Sequence, residues 1–420
     1  MKNIWIITHN AAPPQYQNHM RNLGMAKVLA KMGYKVTIFG ASTIPNTDIN
    51  LINDGRKYIS NDYDGYTLVN VKSPSYKGNG LARRINLMLY PFRLWKYSHR
   101  FSKEMNNVPD IVINDLDVMA LWFPFWIARR YKAPIITEVR DLWPESLIAY
   151  GYLNQKSLLA KYLYFMEKEM YRKSDHIVFS MEGGYDYIIE KKLTDIVPKE
   201  RVSYINNGVD LDAFRFNRDH FITEDSDLEN KEIFKVVYTG SIRKVNNLGL
   251  LLDAAKKVTN KSIKFLIWGD GNEVEELVDR VKRENINNVV FKGSVEKKYI
   301  PFIVSKADLN IAHNTPSEIF RFGISFNKLF DYFAAGKPVL CDFPCPYNPA
   351  IDCNAGIEID DPVPDKIAKA IESFVSMPEE QYKTFCINAS AAAEKYDFKS
   401  LTRLLVDIID KIENRKGKLI

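Results

Sequence analysis

Phe322-Gly323-Ile324-Ser325-Phe326-Asn327-Lys328-Leu329-Phe330-Asp331-Tyr332-Phe333-Ala334-Ala335-Gly336-Lys337-Pro338-Val339 is the stretch that decides the fold. A glycine turn runs straight into a helix predicted over 327–335, and a short apolar strand follows over 338–341. Short buried strands alternating with helices belong to a parallel sheet covered on both faces. The same stretch has a chemical reading. Backbone N–H groups and the positive end of the helix dipole meet at the glycine turn, which makes an anion site for phosphate or sugar hydroxyls. Lys328 stands in the first turn, where a cation is unfavourable unless an anionic ligand is present. Asn327 and Asp331 lie on its side of the helix, and Asp331 is placed to accept hydrogen bonds from ribose hydroxyls. The plainer alternative is a glycine loop followed by an Asp–Lys surface pair.

The alternation extends outward in both directions. Downstream of residue 233, strands are predicted over 235–238, 265–269, 289–292, 309–312 and 357–359, with helices over 248–258, 274–283 and 299–305. Upstream, strands are predicted over 4–8, 35–39, 111–113, 134–139, 176–180 and 202–205, with helices over 20–32, 119–131 and 158–172. Residues 210–232 break the pattern: they are polar, acidic over 224–227, and lack a clear period, so they read as a linker. A chain of 420 residues is also longer than one core usually grows. The expected architecture is α/β, with two doubly wound, Rossmann-like domains facing a central cleft. The first spans 1–208, the linker 209–232 and the second 233–397. A C-terminal helix over about 398–420 is expected to pack back on the first domain.

Composition excludes several classes. The hydrophobic fraction of 46% and charged fraction of 26% are those of an ordinary globular protein. No apolar run approaches the roughly 20 residues of a membrane helix. The run 4–7 is too short for a signal-peptide core, so the expected location is the cytoplasm. Cys341, Cys345, Cys353 and Cys386 have no His among them and no C-x-x-C pairs, so they read as thiols rather than zinc ligands.

Charge is unevenly spread. Residues 65–103 hold no Asp or Glu but carry Lys72, Lys77, Arg83, Arg84, Arg93, Lys96, Arg100 and Lys103, interleaved with Tyr90, Phe92 and Trp95. Such a stretch suits an anionic membrane surface, with nucleic acid the poorer match. The alternative is a surface helix whose apolar side packs on its own core.

Parallel sheets bind ligands beyond the carboxyl ends of their strands. Polar and glycine-rich segments collect there: Thr8-His9-Asn10, Glu138-Val139-Arg140-Asp141, Gly240-Ser241-Ile242-Arg243-Lys244, Gly269-Asp270-Gly271, and Gly293-Ser294 with Val295. Gly269-x-Gly271 is not a dinucleotide fingerprint, because Val274 replaces the third glycine. Asp115-x-Asp117 and Asp210-x-Asp212 lack the context of a metal-binding pair, and no metal is expected.

With these segments in order, the chain resembles glycosyltransferase family 4, a large family of the GT-B fold. The stretch quoted first resembles that family's glycine loop, acidic residue and Tyr-x-Ala-x-Gly-x-Pro-Val run. Asn206-Asn207-Gly208-Val209-Asp210, with Phe214, resembles its asparagine-glycine-valine-aspartate signature, and Asp141-Leu142-Trp143-Pro144-Glu145-Ser146 resembles the branch that builds bacterial capsule and O-antigen polysaccharides. The resemblance covers nearly the whole chain. It departs from the pattern where the family has two glutamates eight positions apart, since Gly323 and Asp331 occupy those positions here. Backbone N–H groups of Ile324 and Ser325 then take over contact with the donor sugar.

The resemblance implies a retaining, metal-independent transfer of a sugar from a UDP-sugar co-substrate, with no separate cofactor. The sugar it favours is an N-acetylated hexosamine, and the acceptor a lipid-linked saccharide used in surface polysaccharide. Lys328 and Arg243, with Asp141 from the first domain, are the catalytic candidates. Gly240, Lys244, Gly269, Gly293, Val295, Gly323, Ile324, Ser325, Asn327 and Asp331 are the donor-binding candidates, while His9, Asn10, Glu138 and Arg140 face the acceptor. Cationic groups and helix N–H groups stabilise the departing diphosphate. The implied partners are the nucleotide sugar, the acceptor and an anionic membrane surface at the inner face of the plasma membrane, met through residues 65–103; nucleic acid is not among them. Two alternatives stay open. One is another GT-B enzyme such as a UDP-sugar epimerase. The other is a degenerate, non-catalytic glycan-binding subunit.

Overall fold

The computed structural model describes all residues except 17–20, 46, 79, 117, 121 and 418–420. Met20, Asp117 and residues 418–420 of the expected C-terminal helix therefore lie outside the described residues. The chain divides into two compact units, residues 1–206 with 401–420, and residues 207–400.

The first unit is built on eight strands: β1 (Asn3–Thr8), β2 (Lys35–Ala41), β3 (Tyr58–Tyr63), β4 (Tyr66–Val71), β5 (Ile111–Asp115), β6 (Ile135–Val139), β7 (His176–Phe179) and β8 (Val202–Tyr204). Their order is β3-β4-β2-β1-β5-β6-β7-β8, and every pairing is parallel except β3 with β4. β1 is buried along its whole length, which is why its sequence is a continuous apolar run instead of an alternating one. The hairpin β3–β4 was not expected from the sequence. Its signal is Tyr63-Asp64-Gly65-Tyr66, an Asp-Gly turn between β-branched and aromatic residues.

Residues 65–103 therefore contribute a strand, a loop and most of the helix Leu81–Glu104. Tyr90, expected to meet a membrane, is fully buried, and its hydroxyl donates to the Thr8 carbonyl at 2.7 Å. Leu94 and Phe101 are buried on the same face. The other face keeps Leu81, Ile85, Met88 and Phe92 exposed, spaced by four, three and four residues. Trp95 lies instead in an aromatic cluster, with Phe92 and Phe123 at ring-centre distances of 6.2 and 6.1 Å and Trp126 at 5.6 Å.

The second unit has six strands: β9 (Phe234–Thr239), β10 (Ile263–Trp268), β11 (Val289–Gly293), β12 (Leu309–Ala312), β13 (Val339–Cys341) and β14 (Gly356–Glu358). They run parallel in the order β11-β10-β9-β12-β13-β14. Chain order reverses on either side of β9, which makes its carboxyl end the topological switch point where such sheets take ligands.

Residues 209–232 do not form an irregular linker. They carry the helices Leu211–His220 and Ser226–Glu229 and belong to the second unit. Asp210 caps the first helix by accepting from the Ala213 N–H at 3.0 Å, and Leu211 and Phe214 are buried. Few apolar positions suffice here, because the acidic residues act as caps and counter-ions: Asp225 and Asp227 both pair with Lys292 at 2.7 Å. The helix Phe398–Gly417 begins in the second unit, and its residues from 401 onward belong to the first, where Arg415 donates to the Glu200 carbonyl at 2.6 Å.

Candidate functional site

In the second unit the expected donor residues lie at the carboxyl ends of neighbouring strands. Gly240 follows β9, Gly269 follows β10, Gly293 ends β11 with Val295 two residues on, and the glycine loop 323–325 precedes the helix Asn327–Ala334. Close backbone approach explains two of the glycines. A Cβ on Gly269 would meet the Gly240 carbonyl oxygen at 1.8 Å, and one on Gly240 would meet Lys328 Nζ at 2.8 Å. Gly240 thus leaves the space that the Lys328 ammonium enters.

Lys328 Nζ sits 3.9 Å from the centre of the Tyr238 ring. Burial pulls its pKa down to about 7, with Asp342 opposing the shift. Asp342, directly after β13, is itself fully buried. One of its oxygens bonds to His313 Nδ1, and the other, Oδ1, has no hydrogen-bond partner among the described residues. His313 follows β12 and reaches the Asn247 carbonyl through Nε2 at 2.8 Å. Burial opposes charge on His313, but Asp342 outweighs it and the pKa is raised. His313 and Asp342 obey the same strand-end rule that singles out Gly240 and Gly269, yet the sequence reading passed over them.

Asp331 is desolvated, which raises its pKa, while Lys297 pulls the other way. A carboxylate held in this state gains by accepting hydrogen bonds from ligand hydroxyls. Ser325 is tied to the Asn-Asn-Gly segment: its hydroxyl accepts from the Asn207 N–H at 3.0 Å and its carbonyl from Asn207 Nδ2 at 2.7 Å. Ile324 is buried. Arg243 and Lys244 are exposed at the start of the short helical turn after β9, and Asn327 is exposed at the start of its helix.

The first unit holds a cavity of about 700 Å³, lined by His9 and Asn10 after β1, by Glu138, Arg140 and Asp141 around the end of β6, and by Asp115, Trp143 and Tyr152. The expected acceptor residues are thus brought together, but not all are available to a ligand. Glu138 is buried and takes the Arg21 guanidinium at 3.0 Å, an ion pair with 2% exposure on each side chain. Its role is to hold Arg21 in the core, which the sequence reading could not foresee because Arg21 is 117 residues away.

His9 is also held on both sides. Nε2 faces Asn86 Oδ1 at 2.6 Å, and Nδ1 faces Asn10 at 3.1 Å. Asn86 uses its NH₂ on Thr43 and the Pro74 carbonyl, so its oxygen is turned to His9 and Nε2 carries the proton. Burial lowers the His9 pKa and Arg83 adds to the effect, while the bonds to Asn10 and Asn86 oppose it. Arg140 pairs with Asp115 at 3.2 Å. Asp141 is an exposed side chain at the rim of the cavity; desolvation raises its pKa, and neighbouring Arg140 limits the rise.

Two parallel-sheet units of this kind define the GT-B fold, and comparison with known proteins gives the family. The model "Glycosyltransferase Family 4" matches residues 19–213, and "Glycosyl transferases group 1" matches residues 221–391. Together they span most of the chain, which belongs to glycosyltransferase family 4. A putative teichuronic acid biosynthesis glycosyltransferase of Bacillus subtilis (strain 168) is 23% identical over 252 residues, 58% of this chain and 60% of that protein. The chain spans about three fifths of the length of the curated relatives it matches. Among solved structures, sucrose-phosphate synthase from Thermosynechococcus elongatus aligns with a TM-score of 0.72 at 13% identity, covering 99% of this chain and 100% of that one. Anabaena HepE in complex with UDP and glucose aligns with a TM-score of 0.65 at 15% identity, covering 97% and 99%.

Proposed function

We propose that the chain is a retaining, metal-independent glycosyltransferase that moves a sugar from a UDP-sugar to a lipid-linked saccharide in surface polysaccharide synthesis. The observation that carries this reading is Lys328: an enclosed ammonium at the first turn of a helix, beside the switch-point strand. Breaking the sugar–phosphate bond leaves negative charge on the diphosphate. A half-buried cation, already partly stripped of water, stabilises that charge with little reorganisation. Arg243 and Lys244 add charge from the surface, and Asp331 takes the ribose. UDP as carrier is supported by the HepE complex. Surface polysaccharide as product is supported by the teichuronic acid relative. An N-acetylated hexosamine as the sugar rests on the Asp141–Ser146 segment.

The cavity of the first unit takes the acceptor, with Asp141 as the carboxylate that engages its hydroxyls. An anionic bilayer is met through the exposed face of the helix Leu81–Glu104, where Leu81, Ile85, Met88 and Phe92 stand with exposed Arg84 and Lys96.

The deciding experiment is turnover of UDP-sugars with and without a saccharide acceptor in wild type and Lys328→Ala. Acceptor-dependent UDP release, reduced about a hundredfold in the variant, is expected for loss of roughly 3 kcal/mol at the transition state. Inversion of the donor sugar without an acceptor would establish an epimerase instead. Complete loss of activity in EDTA, restored by Mg²⁺ or Mn²⁺, would overturn metal independence.

A further inference from the structure

His313 lies between two acceptors. Its Nδ1 meets a carboxylate oxygen of Asp342, and its Nε2 meets the Asn247 carbonyl at 2.8 Å. A neutral imidazole donates from one nitrogen only, so a ring set between a carboxylate and a carbonyl satisfies both only as the imidazolium. Neither side chain of the pair has any exposed surface. Two charges are costly to bury, and each of these reaches a different part of the donor site.

The imidazolium reaches the loop after β9. Asn247, with a φ of 48°, closes the turn that Arg243 and Lys244 open. Its carbonyl is also fixed by the Leu250 N–H at 3.0 Å, and the Thr315 N–H, two residues beyond His313, donates to the Val245 carbonyl of the same turn at 3.2 Å. The carboxylate reaches Lys328, whose ammonium Asp342 favours against burial. Asp342 Oδ1 has no hydrogen-bond partner among the described residues, so no second donor offsets that charge. Lys328 is thus faced by Tyr238 from β9, by His313 beyond β12 and by Asp342 beyond β13.

We infer that His313 and Asp342 form a buried ion pair that positions both cationic arms of the donor site: the imidazolium anchors the Arg243–Lys244 turn, and the carboxylate keeps Lys328 charged. The inference rests on reading this site as the one that takes the donor diphosphate. Both are positioning residues. The pair has no net charge, so the attraction for a diphosphate comes from Lys328 and the turn that it arranges.

The test is calorimetric titration with UDP between pH 5.5 and 9. Asp342→Asn keeps the shape and an acceptor for Nδ1 but removes the charge. It should move the midpoint of UDP affinity to lower pH, with a loss of about tenfold at pH 8 and little loss at pH 5.5. In Lys328→Ala the same exchange should leave affinity unchanged. His313→Gln should weaken UDP severalfold at every pH, yet add little once Arg243 and Lys244 are both Gln, because it acts through their turn. A pair that only stabilises the fold would lower the melting temperature, leave the midpoint in place and give additive effects. Wild type supplies a readout that does not depend on any variant folding: nitrogen-15 spectra of its six histidines should contain one ring protonated on both nitrogens at pH 8. An unmoved midpoint, additive effects or the absence of an imidazolium at pH 8 overturns the inference. Failure of wild type to bind UDP, with the imidazolium present, would instead sink the donor reading.

Discussion

Lys328 Nζ rests 3.9 Å from the centre of the Tyr238 ring, in the space that Gly240 leaves open. The aromatic face partly compensates the ammonium for lost water, but burial still brings its pKa to about 7. A bound diphosphate would raise that pKa, so binding takes up a proton. UDP affinity should therefore be greatest below pH 7 and fall as pH rises above it, by up to about tenfold per pH unit. Isothermal titration from pH 6 to 9 checks this. Lys328→Ala should flatten the profile, and a flat wild-type profile would show that the diphosphate is held elsewhere.

Glu138 was expected at the acceptor, and its partner Arg21 gives a way to separate that role from a structural one. Removing one member of a buried pair strands the other, at a cost of about 3–5 kcal/mol. Glu138→Ala should lower the melting temperature by many degrees even with no acceptor present. An unchanged melting temperature would return Glu138 to the ligand.

Membrane contact should follow the exposed face of the helix Leu81–Glu104. Sedimentation with anionic vesicles, reversed by salt, is expected for wild type. Exchange of Ile85, Met88 and Phe92 for Ser should weaken it, as should Arg84 and Lys96 to Gln. Tyr90→Phe should leave it intact, because Tyr90 is buried and its hydroxyl serves the Thr8 carbonyl. Arg93 is a poor target, since it already donates to the Lys72 carbonyl at 2.8 Å. Equal binding to neutral vesicles, or none to either, would assign this face to another partner.

Glu167 lies fully buried behind the cavity-lining Tyr171, which donates to it at 2.9 Å, with Tyr187 at 2.8 Å. Burial raises its pKa from 4.5 to about 8, and the two tyrosines only moderate the rise. A carboxyl raised in the folded state favours folding while protonated. That contribution is complete below about 4.5, and it is lost as pH climbs to about 8. Wild type should therefore melt at a lower temperature at pH 9 than at pH 6, and Glu167→Gln should lose most of this difference. Identical pH dependence in the two proteins would show that other groups control it.

Much of this protein was settled by its sequence alone, because hydrophobic period is a local property. Residues 4–8, 265–269 and 309–312 read as buried parallel strands wherever they occur, and Lys328 at a helix start implies an anion through the dipole of its own helix. The helix Leu211–His220 escaped because its stability comes from an Asp210 cap and two buried side chains, too little to show as a period. Roles were decided by tertiary structure wherever a distant residue claims a polar group first. Arg21 claims Glu138, Asn86 claims His9 from 77 positions away, and the Thr8 carbonyl claims Tyr90 from 82. Such bonds replace water inside the fold, and a buried polar group left unpaired costs more than it returns. Whether a residue faces ligand or core therefore depends on a partner that sequence proximity does not reveal.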